Sequence, residues 1–342
     1  MKQKIIITGG TGYIGSHTAV EFITKGFNVV IVDNLSNSDI SVLDRIKEIT
    51  GTKPEFEQID LTDNEKTKSF FERHKDVSGV INFAALKAVG ESVQKPILYY
   101  QNNINILLNV LENMETYGIS NLIFSSSATV YGLPETLPIT ENAQTKRPTS
   151  PYGNTKKVAE EIIEDLSKVS ESLNAISLRY FNPIGAHNSL KIGEAPSGIP
   201  NNLMPFITQT AAGLRDELKV FGNDYDTPDG TAVRDYLHVV DLAKAHVLAY
   251  DRLLHKRSKS NFEVYNLGTG IGYSVLDVIQ SFEKTTGLKL NYSFDQRREG
   301  DVPQLYSNPL KANKELQWKA TLSLDDMTLS SWEWEQNLRK NK

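Results

Sequence analysis

Residues 8–15 read Thr8-Gly9-Gly10-Thr11-Gly12-Tyr13-Ile14-Gly15. They follow the short apolar run 4–8 (KIIIT) and precede a segment with helical spacing. Gly10, Gly12 and Gly15 satisfy G-x-G-x-x-G, and Gly9, Gly12 and Gly15 satisfy the related T-G-x-x-G-x-x-G form. Such a loop makes a tight turn, leaves backbone bare beside a pyrophosphate and lets helix and strand pack closely. The helix start then offers free N–H groups and a positive dipole end to an anion. A glycine pattern alone is weak evidence, but here it sits at a strand-to-helix junction. Eighteen residues past Gly15, at the end of the next apolar run, stands Asp33. An acid there accepts hydrogen bonds from an adenosine ribose. The bland alternative is a turn-forming Asp33-Asn34. Glycines, strand and acid in register point to a dinucleotide. No Arg or Lys falls between Asp33 and Val42 to offset a ribose phosphate, so NAD is expected over NADP.

Outward from this loop, the first half alternates strand and helix. Strands are expected at 4–8, 28–32, 55–59, 79–83, 121–125 and 175–180, each a short run of mainly Ile, Val, Phe or Leu. Continuous apolar runs of this length suit strands covered on both faces, as in a parallel sheet. Among the intervening helices, Ile104, Leu107, Leu108, Leu111 and Met114 form one apolar stripe. The expected class is α/β, a Rossmann-like doubly wound parallel sheet with right-handed crossovers. After Tyr180 the chain turns rich in Gly, Pro and Asn, with a short helix expected at 204–213. Alternation returns at 241–254 and 263–267, and 274–285 and 323–337 read as helices. The expected organisation is a dinucleotide-binding domain over 1–181 and a smaller mixed α/β substrate domain over 182–342. Segments around 236–270 are expected to pack back on the first domain.

With 342 residues the chain has length for about two domains. Its 37 Lys and Arg against 42 Asp and Glu give a net charge of −5, which argues against a nucleic-acid footprint. The absence of cysteine excludes disulfides, thiol nucleophiles and thiolate metal sites. The six histidines show no ligand spacing together with acids, so no metal is expected. No apolar run approaches the ~18 residues of a membrane span, and the start resembles no signal peptide. A soluble, cytoplasmic protein is the expectation.

Tyr152-Gly153-Asn154-Thr155-Lys156 places a phenol and an ammonium four residues apart. With Ser150 as N-cap and Pro151 as first helical residue, both lie on one helix face. A phenol titrates near 10, and an adjacent ammonium and a positive nicotinamide ring both favour its ionised form. The fifth apolar run ends in Ser125-Ser126-Ser127, where strand ends in such sheets meet the ligand. Ser127 is placed to bind the same substrate oxygen as Tyr152.

On these motifs the chain resembles the extended short-chain dehydrogenase/reductase superfamily and, within it, the NAD-dependent epimerase/dehydratase family. The resemblance extends through 82–93 (NFAALKAVGESV), 124–132 (FSSSATVYG), 178–185 (LRYFNPIG) and 198–205 (GIPNNLMP). It continues through 221–225 (FGNDY), 233–239 (VRDYLHV) and 297–301 (RREGD). It implies Ser127, Tyr152 and Lys156 as the catalytic set, with Tyr152 the base toward the hydroxyl on sugar carbon 4. On the cofactor side it implies Gly9, Gly12, Tyr13, Ile14 and Gly15 around the phosphates. Asp33 and Asn34 would meet the adenosine, Asp60 and Leu61 the adenine pocket, and Phe83, Ala84, Lys87, Asn102 and Tyr180 other parts of NAD. For the nucleotide sugar it implies Asn182, Asn202, Arg234, Arg298 and Leu305. Arginines suit a diphosphate independently, because a guanidinium offers a planar fork of donors. The bland alternatives are a helix-starting role for Asp60, a solvated Lys87 and a local Arg234–Asp235 ion pair.

The implied activity is interconversion of UDP-galactose and UDP-glucose through a 4-keto sugar, in a homodimer packed through helices near 101–116 and 152–168. The Ile104–Met114 stripe could equally be buried against the sheet. One rival is a nucleotide-sugar 4,6-dehydratase. Such enzymes resemble this chain but carry Thr-Asp-Glu where it has Ser127-Ala128-Thr129, and water elimination needs an extra acid and base. Another rival is a non-catalytic NAD-sensing protein, which has no need of Ser127, Tyr152 and Lys156 together. Leu305 departs from the family, whose members carry either a small residue or tyrosine there, near the substituent on sugar carbon 2.

Overall fold

The computed structural model describes residues 3–196, 198–298 and 301–340. The first half runs β1 (Lys4–Thr8), α1 (Tyr13–Thr24), β2 (Asn28–Asp33), α2 (Val42–Thr50), β3 (Glu55–Gln58), α3 (Asn64–Arg73) and β4 (Gly79–Asn82). Then come α4 (Val89–Gln94), α5 (Pro96–Tyr117), β5 (Asn121–Ser127), α6 (Pro151–Val169) and β6 (Asn174–Tyr180). The second half holds β7 (Asn182–Ile184), α7 (Leu203–Ala211), β8 (Leu218–Phe221), β9 (Val233–Arg234), β10 (Tyr236–His238), α8 (Val239–Leu254) and β11 (Phe262–Leu267). It ends with β12 (Tyr273–Ser274), α9 (Val275–Thr286), β13 (Tyr292–Asp295), β14 (Gln304–Leu305), α10 (Leu310–Glu315) and α11 (Leu324–Lys340).

Seven strands form one parallel sheet in the order β11-β6-β5-β4-β1-β2-β3. Ile5, Ile6 and Ile7 of β1 are fully buried, because helices cover both faces of the sheet. One face buries Ile5, Ile7 and Ile31 against α1 and α8 residues such as Phe22 and Tyr250. The other buries Ile6, Val30 and Leu122 against α3, α5 and α6 residues such as Phe70, Val110 and Ile163. All six expected strands form, each within two residues of its expected ends. β11 adds a seventh strand from the second half by pairing with β6 from Phe262↔Ala175 to Leu267↔Tyr180. A separate core around Ile207, Tyr236, Phe282 and Met327 joins α7, α9 and α11 beneath the short strands of the second half.

Local signals set the helix ends. Asp63 caps α3 by accepting from the Lys66 N–H at 3.1 Å, which gives the capping role to Asp63 rather than Asp60. Ser150 caps α6 by accepting from the Gly153 N–H at 3.1 Å, with Pro151 in the first turn. α5 ends at Gly118, whose φ of 68° suits glycine. Its stripe divides: Leu107, Leu111 and Met114 are buried with Ile106 and Val110, whereas Leu108 is 44% exposed. The buried face is turned from the expected one because α5 packs on both α3 and α6.

The order reverses between β1 and β4, and ligands of open α/β sheets bind at such a switch point, outside the carboxyl ends of the strands.

Candidate active site

The glycine loop leaves β1 at this switch point. Gly9 has φ 67°, and a Cβ on it would lie 2.9 Å from the Ala84 backbone nitrogen, so the loops after β1 and β4 touch. A Cβ on Gly15 would meet the Gly9 carbonyl oxygen at 2.3 Å. Gly12 precedes α1, and no side chain caps that helix. A Cβ on Gly12 would meet only the Gly9 carbonyl oxygen, at 3.2 Å. The cradle is therefore closed underneath and open above an uncapped helix start, a form that fits a pyrophosphate. Beside it, the Tyr13 hydroxyl donates to the Gly185 carbonyl at 2.6 Å, tying the loop to the second half. Ile14 packs partly into the core.

Asp33 is buried at the end of β2 and accepts from the Thr11 N–H at 3.2 Å, the Leu35 N–H at 2.9 Å and the Ser38 hydroxyl at 3.2 Å. These donors fix the carboxylate beside the loop. Asn34 donates to Asp60 at 3.4 Å, and Asp60 accepts from the Thr62 N–H at 2.9 Å and hydroxyl at 2.7 Å. Those donors hold Asp60 below the usual carboxylate range, against the opposing effect of its partial burial. Leu61 is buried, with its carbonyl accepting from Asn109 at 2.8 Å. After β4, the Ala84 N–H donates to the Thr8 hydroxyl at 3.1 Å, and the Phe83 ring lies 4.8 Å from that of His246. Asn102 donates to Asn103 at 3.0 Å, and Asn103 binds the Leu86 N–H at 2.8 Å and the Thr155 hydroxyl at 3.0 Å. The loop after β4 is thereby pinned to α6. Lys87 is more than half exposed and lies 3.5 Å from Glu194, which also accepts from Asn202 at 2.8 Å.

Ser127, Tyr152 and Lys156 meet beyond the end of β5. The Ser127 hydroxyl accepts from the Thr129 N–H at 3.3 Å, and its side chain lies near enough to the Tyr152 phenol to favour the ionised form. Lys156 is buried, its Nζ donating to the Ser125 carbonyl at 2.7 Å and lying 5.9 Å from the Tyr152 ring centroid. Burial lowers the ammonium to about 8, and Glu160 opposes that shift. Burial raises the Tyr152 phenol to about 12, with Ser127 opposing. The expected lowering of the phenol is therefore absent in the chain by itself, because desolvation outweighs the influence of Ser127. The Tyr180 hydroxyl bonds to that of Ser125, placing it beside the same carbonyl that holds Lys156.

On the second half, Arg234 and Arg298 share one carboxylate. Arg234 Nη2 lies 3.3 Å from Asp301 Oδ1, and Arg298 Nε lies 3.0 Å from Asp301 Oδ2. The local Arg234–Asp235 pair does not form. Asp235 is fully buried and accepts from Thr269, Gly270 and Ser307 instead. Leu305 pairs in register with Arg234 and packs against the small cluster of Ala128, Val130, Tyr131, Ile139 and Phe181, which ties the arginines to the turn after Ser127. Asn182 begins β7, its N–H donating to the Asp235 carbonyl at 3.0 Å. Within the 297–301 motif, Glu299 and Gly300 lie outside the described residues.

Three site residues escaped the sequence reading. Phe221 is partly exposed, 5.1 Å beneath the Arg298 guanidinium. Glu194 joins Lys87 to Asn202, and Asp301 joins the arginines. The acid two residues past Arg298-Glu299 was a usable signal for Asp301, whereas nothing in the spacing pointed to Glu194.

The family model described as GDP-mannose 4,6 dehydratase matches residues 6–330. A protein named UDP-glucose 4-epimerase from Bacillus subtilis is 50% identical over 333 residues, 97% of this chain and 97% of that protein. A UDP-glucose 4-epimerase structure from Stenotrophomonas maltophila, with bound NAD and formylated UDP-arabinopyranose, superposes with TM-score 0.95 at 46% identity, covering 99% of this chain and 100% of that one. The Bifidobacterium longum UDP-glucose 4-epimerase in complex with NAD+ and UDP gives the same TM-score of 0.95, 46% identity and coverage of 99% and 100%.

Proposed function

This chain belongs to the UDP-glucose 4-epimerase family, and we propose that it interconverts UDP-galactose and UDP-glucose with a bound NAD. The observation that carries the reading is the gathering of Ser127, Tyr152 and the buried Lys156 at the carboxyl end of β5, with Lys156 Nζ 2.7 Å from the Ser125 carbonyl and 5.9 Å from the Tyr152 ring centroid. A 4,6-dehydratase needs an acid and a base next to this serine, and Ala128 and Thr129 can be neither at neutral pH. The family model's dehydratase description therefore fits the fold better than the site.

We assign the NAD domain to 1–181 and the nucleotide-sugar domain to 182–342, with α8 and β11 returned to the first. Gly9, Gly12 and Gly15, with Tyr13 and Ile14, would hold the pyrophosphate over the start of α1. Asp33 and Asn34 would take the adenosine ribose, and Asp60 with Leu61 the adenine. Phe83, Ala84, Lys87, Asn102 and Tyr180 would line the nicotinamide half. NAD, when bound, supplies the hydride acceptor and donor for carbon 4. Tyr152 takes the proton of the carbon 4 hydroxyl, and Ser127 holds the same oxygen. A phenol near 12 lies about 5 units above neutrality, equivalent to about 7 kcal/mol of differential interaction. The Lys156 ammonium and the charge of the oxidised cofactor together must offset that. Arg234 and Arg298 anchor the diphosphate, with Phe221 placed for the nucleobase. Asn182, Asn202 and Leu305 border the sugar. A firm handle and a loosely held ring let the 4-keto sugar turn and take hydride on its other face.

No helix among the described residues is long and apolar enough to cross a membrane. We place the enzyme in the cytoplasm as a homodimer packed through α5 and α6, where Leu98 and Leu108 are each 44% exposed. The test is to offer UDP-galactose to the purified protein without added NAD. UDP-glucose should form, and denaturation should release NAD of the mass expected. No conversion by folded protein, or release of NADP, would refute the reading.

A further inference from the structure

Behind the catalytic helix lies a buried ionic network that the proposed chemistry leaves unused. Glu160 stands one turn beyond Lys156 on α6 and is 5% exposed. Its carboxylate accepts from Arg179 Nε at 3.0 and 3.1 Å, from Arg179 Nη2 at 2.5 Å and from the Ser177 hydroxyl at 2.7 Å. Arg179, buried on β6, also donates Nη1 to the Tyr131 hydroxyl at 2.9 Å, with its guanidinium 4.8 Å over that ring. Tyr131 closes the short turn, Ala128–Tyr131, that begins next to Ser127. Its hydroxyl donates onward to Asn266 of β11 at 2.7 Å.

Folding alone is a weak reason for this pair, since replacing buried ion pairs with apolar groups is often neutral or stabilising. The pair's position supplies a stronger one. One end sits on the helix that carries Tyr152 and Lys156, and the other grips the turn that follows Ser127. The network thus crosses the joint between the two parts of the catalytic set. We propose that Glu160 and Arg179 are positioning residues: they brace the helix bearing Tyr152 and Lys156 against the turn bearing Ser127, and they keep a carboxylate beside the buried Lys156 ammonium.

The other charged groups on the elements packed against α6 face away from Lys156 or have partners of their own: on α5, Glu112 accepts from Asn64 at 3.2 Å and Glu115 is exposed. Glu91 of α4 binds Lys95 and Tyr99, and Glu263 of β11 binds Arg252. Lys157 pairs with Glu161 on the outer face of α6. Tyr99, Tyr131 and Tyr180 are raised by burial and are neutral at working pH. Glu160 is the carboxylate that acts on Lys156.

The inference rests on Lys156 being the charged partner of Tyr152. Glu160→Gln keeps the size of the side chain and removes its charge. In the holoenzyme, kcat should fall ~10-fold or more, the scale of a misplaced acid–base group. KM for UDP-galactose should stay within about 2-fold, because Arg234 and Arg298 still anchor the diphosphate. The alkaline limb of kcat should move ~0.5–1 unit toward neutrality, since the lost carboxylate and the unopposed Arg179 both disfavour the ammonium. Competition labelling of Lys156 with acetic anhydride, read by mass spectrometry across pH, should show the same downward shift without any turnover. Glu160→Asp should restore part of both. Should Glu160→Gln not accumulate folded, the double variant E160Q/R179Q also removes the guanidinium that E160Q leaves unpaired and should shift both readouts less, with the same sign. A folded variant whose pH profile and Lys156 reactivity match the unmutated protein overturns the inference, whatever its melting temperature. Lack of epimerase activity in the unmutated protein would instead overturn the functional reading, and the labelling would still test the action of Glu160 on Lys156.

Discussion

The proposed reaction concentrates its proton transfer in the Tyr152 hydroxyl, so its removal should be specific. Tyr152→Phe deletes the oxygen and keeps the ring, and it should fold and retain NAD while losing at least ~100-fold in turnover, the usual scale for a lost general base. Near-normal turnover at neutral pH would take Tyr152 out of the mechanism. Leu305 carries the question of which sugars enter. It is half-buried against the cluster that includes Tyr131 and Phe181, so it has little room to yield to an N-acetyl group. UDP-galactose should be preferred over UDP-N-acetylgalactosamine by roughly 10-fold or more, and Leu305→Ser should narrow the gap, on the ~1–3 kcal/mol scale of overpacking. Comparing kcat/KM for both sugars on both proteins decides it; equal efficiencies in the unmutated enzyme would free Leu305 of that role. At this scale the sequence was readable for placement, as for Tyr152 and Lys156, which the structure brings together on α6. It was not readable for the phenol's ionisation, because desolvation depends on what folds over the hydroxyl.

Between β1 and α1 the glycine loop works by what it lacks. A methyl on Gly15 would lie 2.3 Å from the Gly9 carbonyl oxygen and 2.9 Å from the Gly10 Cα, both backbone atoms that cannot step aside. Gly15→Ala should therefore push the loop out of shape, lower the melting temperature by several degrees and leave the purified protein with little nucleotide. Those degrees correspond to the ~1–3 kcal/mol of an overpacked contact. A protein that keeps a full complement of NAD after this change would show that the loop is not the phosphate cradle. Strands and capping residues were legible here because their signals are local: Ser150 caps α6 where its spacing from Tyr152 placed it. The face of α5 was less so. Leu107 and Leu108 look equivalent in a stripe, and only the joint packing of α5 on α3 and α6 exposes one of them. Glu194 and the Glu160–Arg179 pair were invisible for a similar reason. Their partners lie on other elements, and no spacing along the chain announces them.

Across the whole molecule, three buried histidines set a limit at low pH. Burial lowers His17 to about 3 and His238 and His246 to about 4, against an ordinary 6.5. All three fold neutral. Above pH 6.5 they cost nothing, and below it the unfolded chain takes up protons that the folded chain refuses. Stability should therefore fall as pH drops from about 6.5 toward 4, before most carboxylates are protonated. Melting temperatures measured across that window should decline steadily; a level profile down to pH 4.5 would show that these rings accept protons in place. The same whole-molecule view explains the fit of fold to reaction. The first half holds the proposed cofactor cradle and Tyr152, the second half holds Arg234 and Arg298, and Tyr13 and Leu305 join them. Reversible hydride transfer at carbon 4 inside this closed arrangement is the central claim. Its most direct measurement uses UDP-galactose deuterated at carbon 4, given to the purified protein with no NAD added. The UDP-glucose formed should keep the deuterium at carbon 4. Deuterium lost to solvent, or a dehydrated 4-keto product, would contradict it.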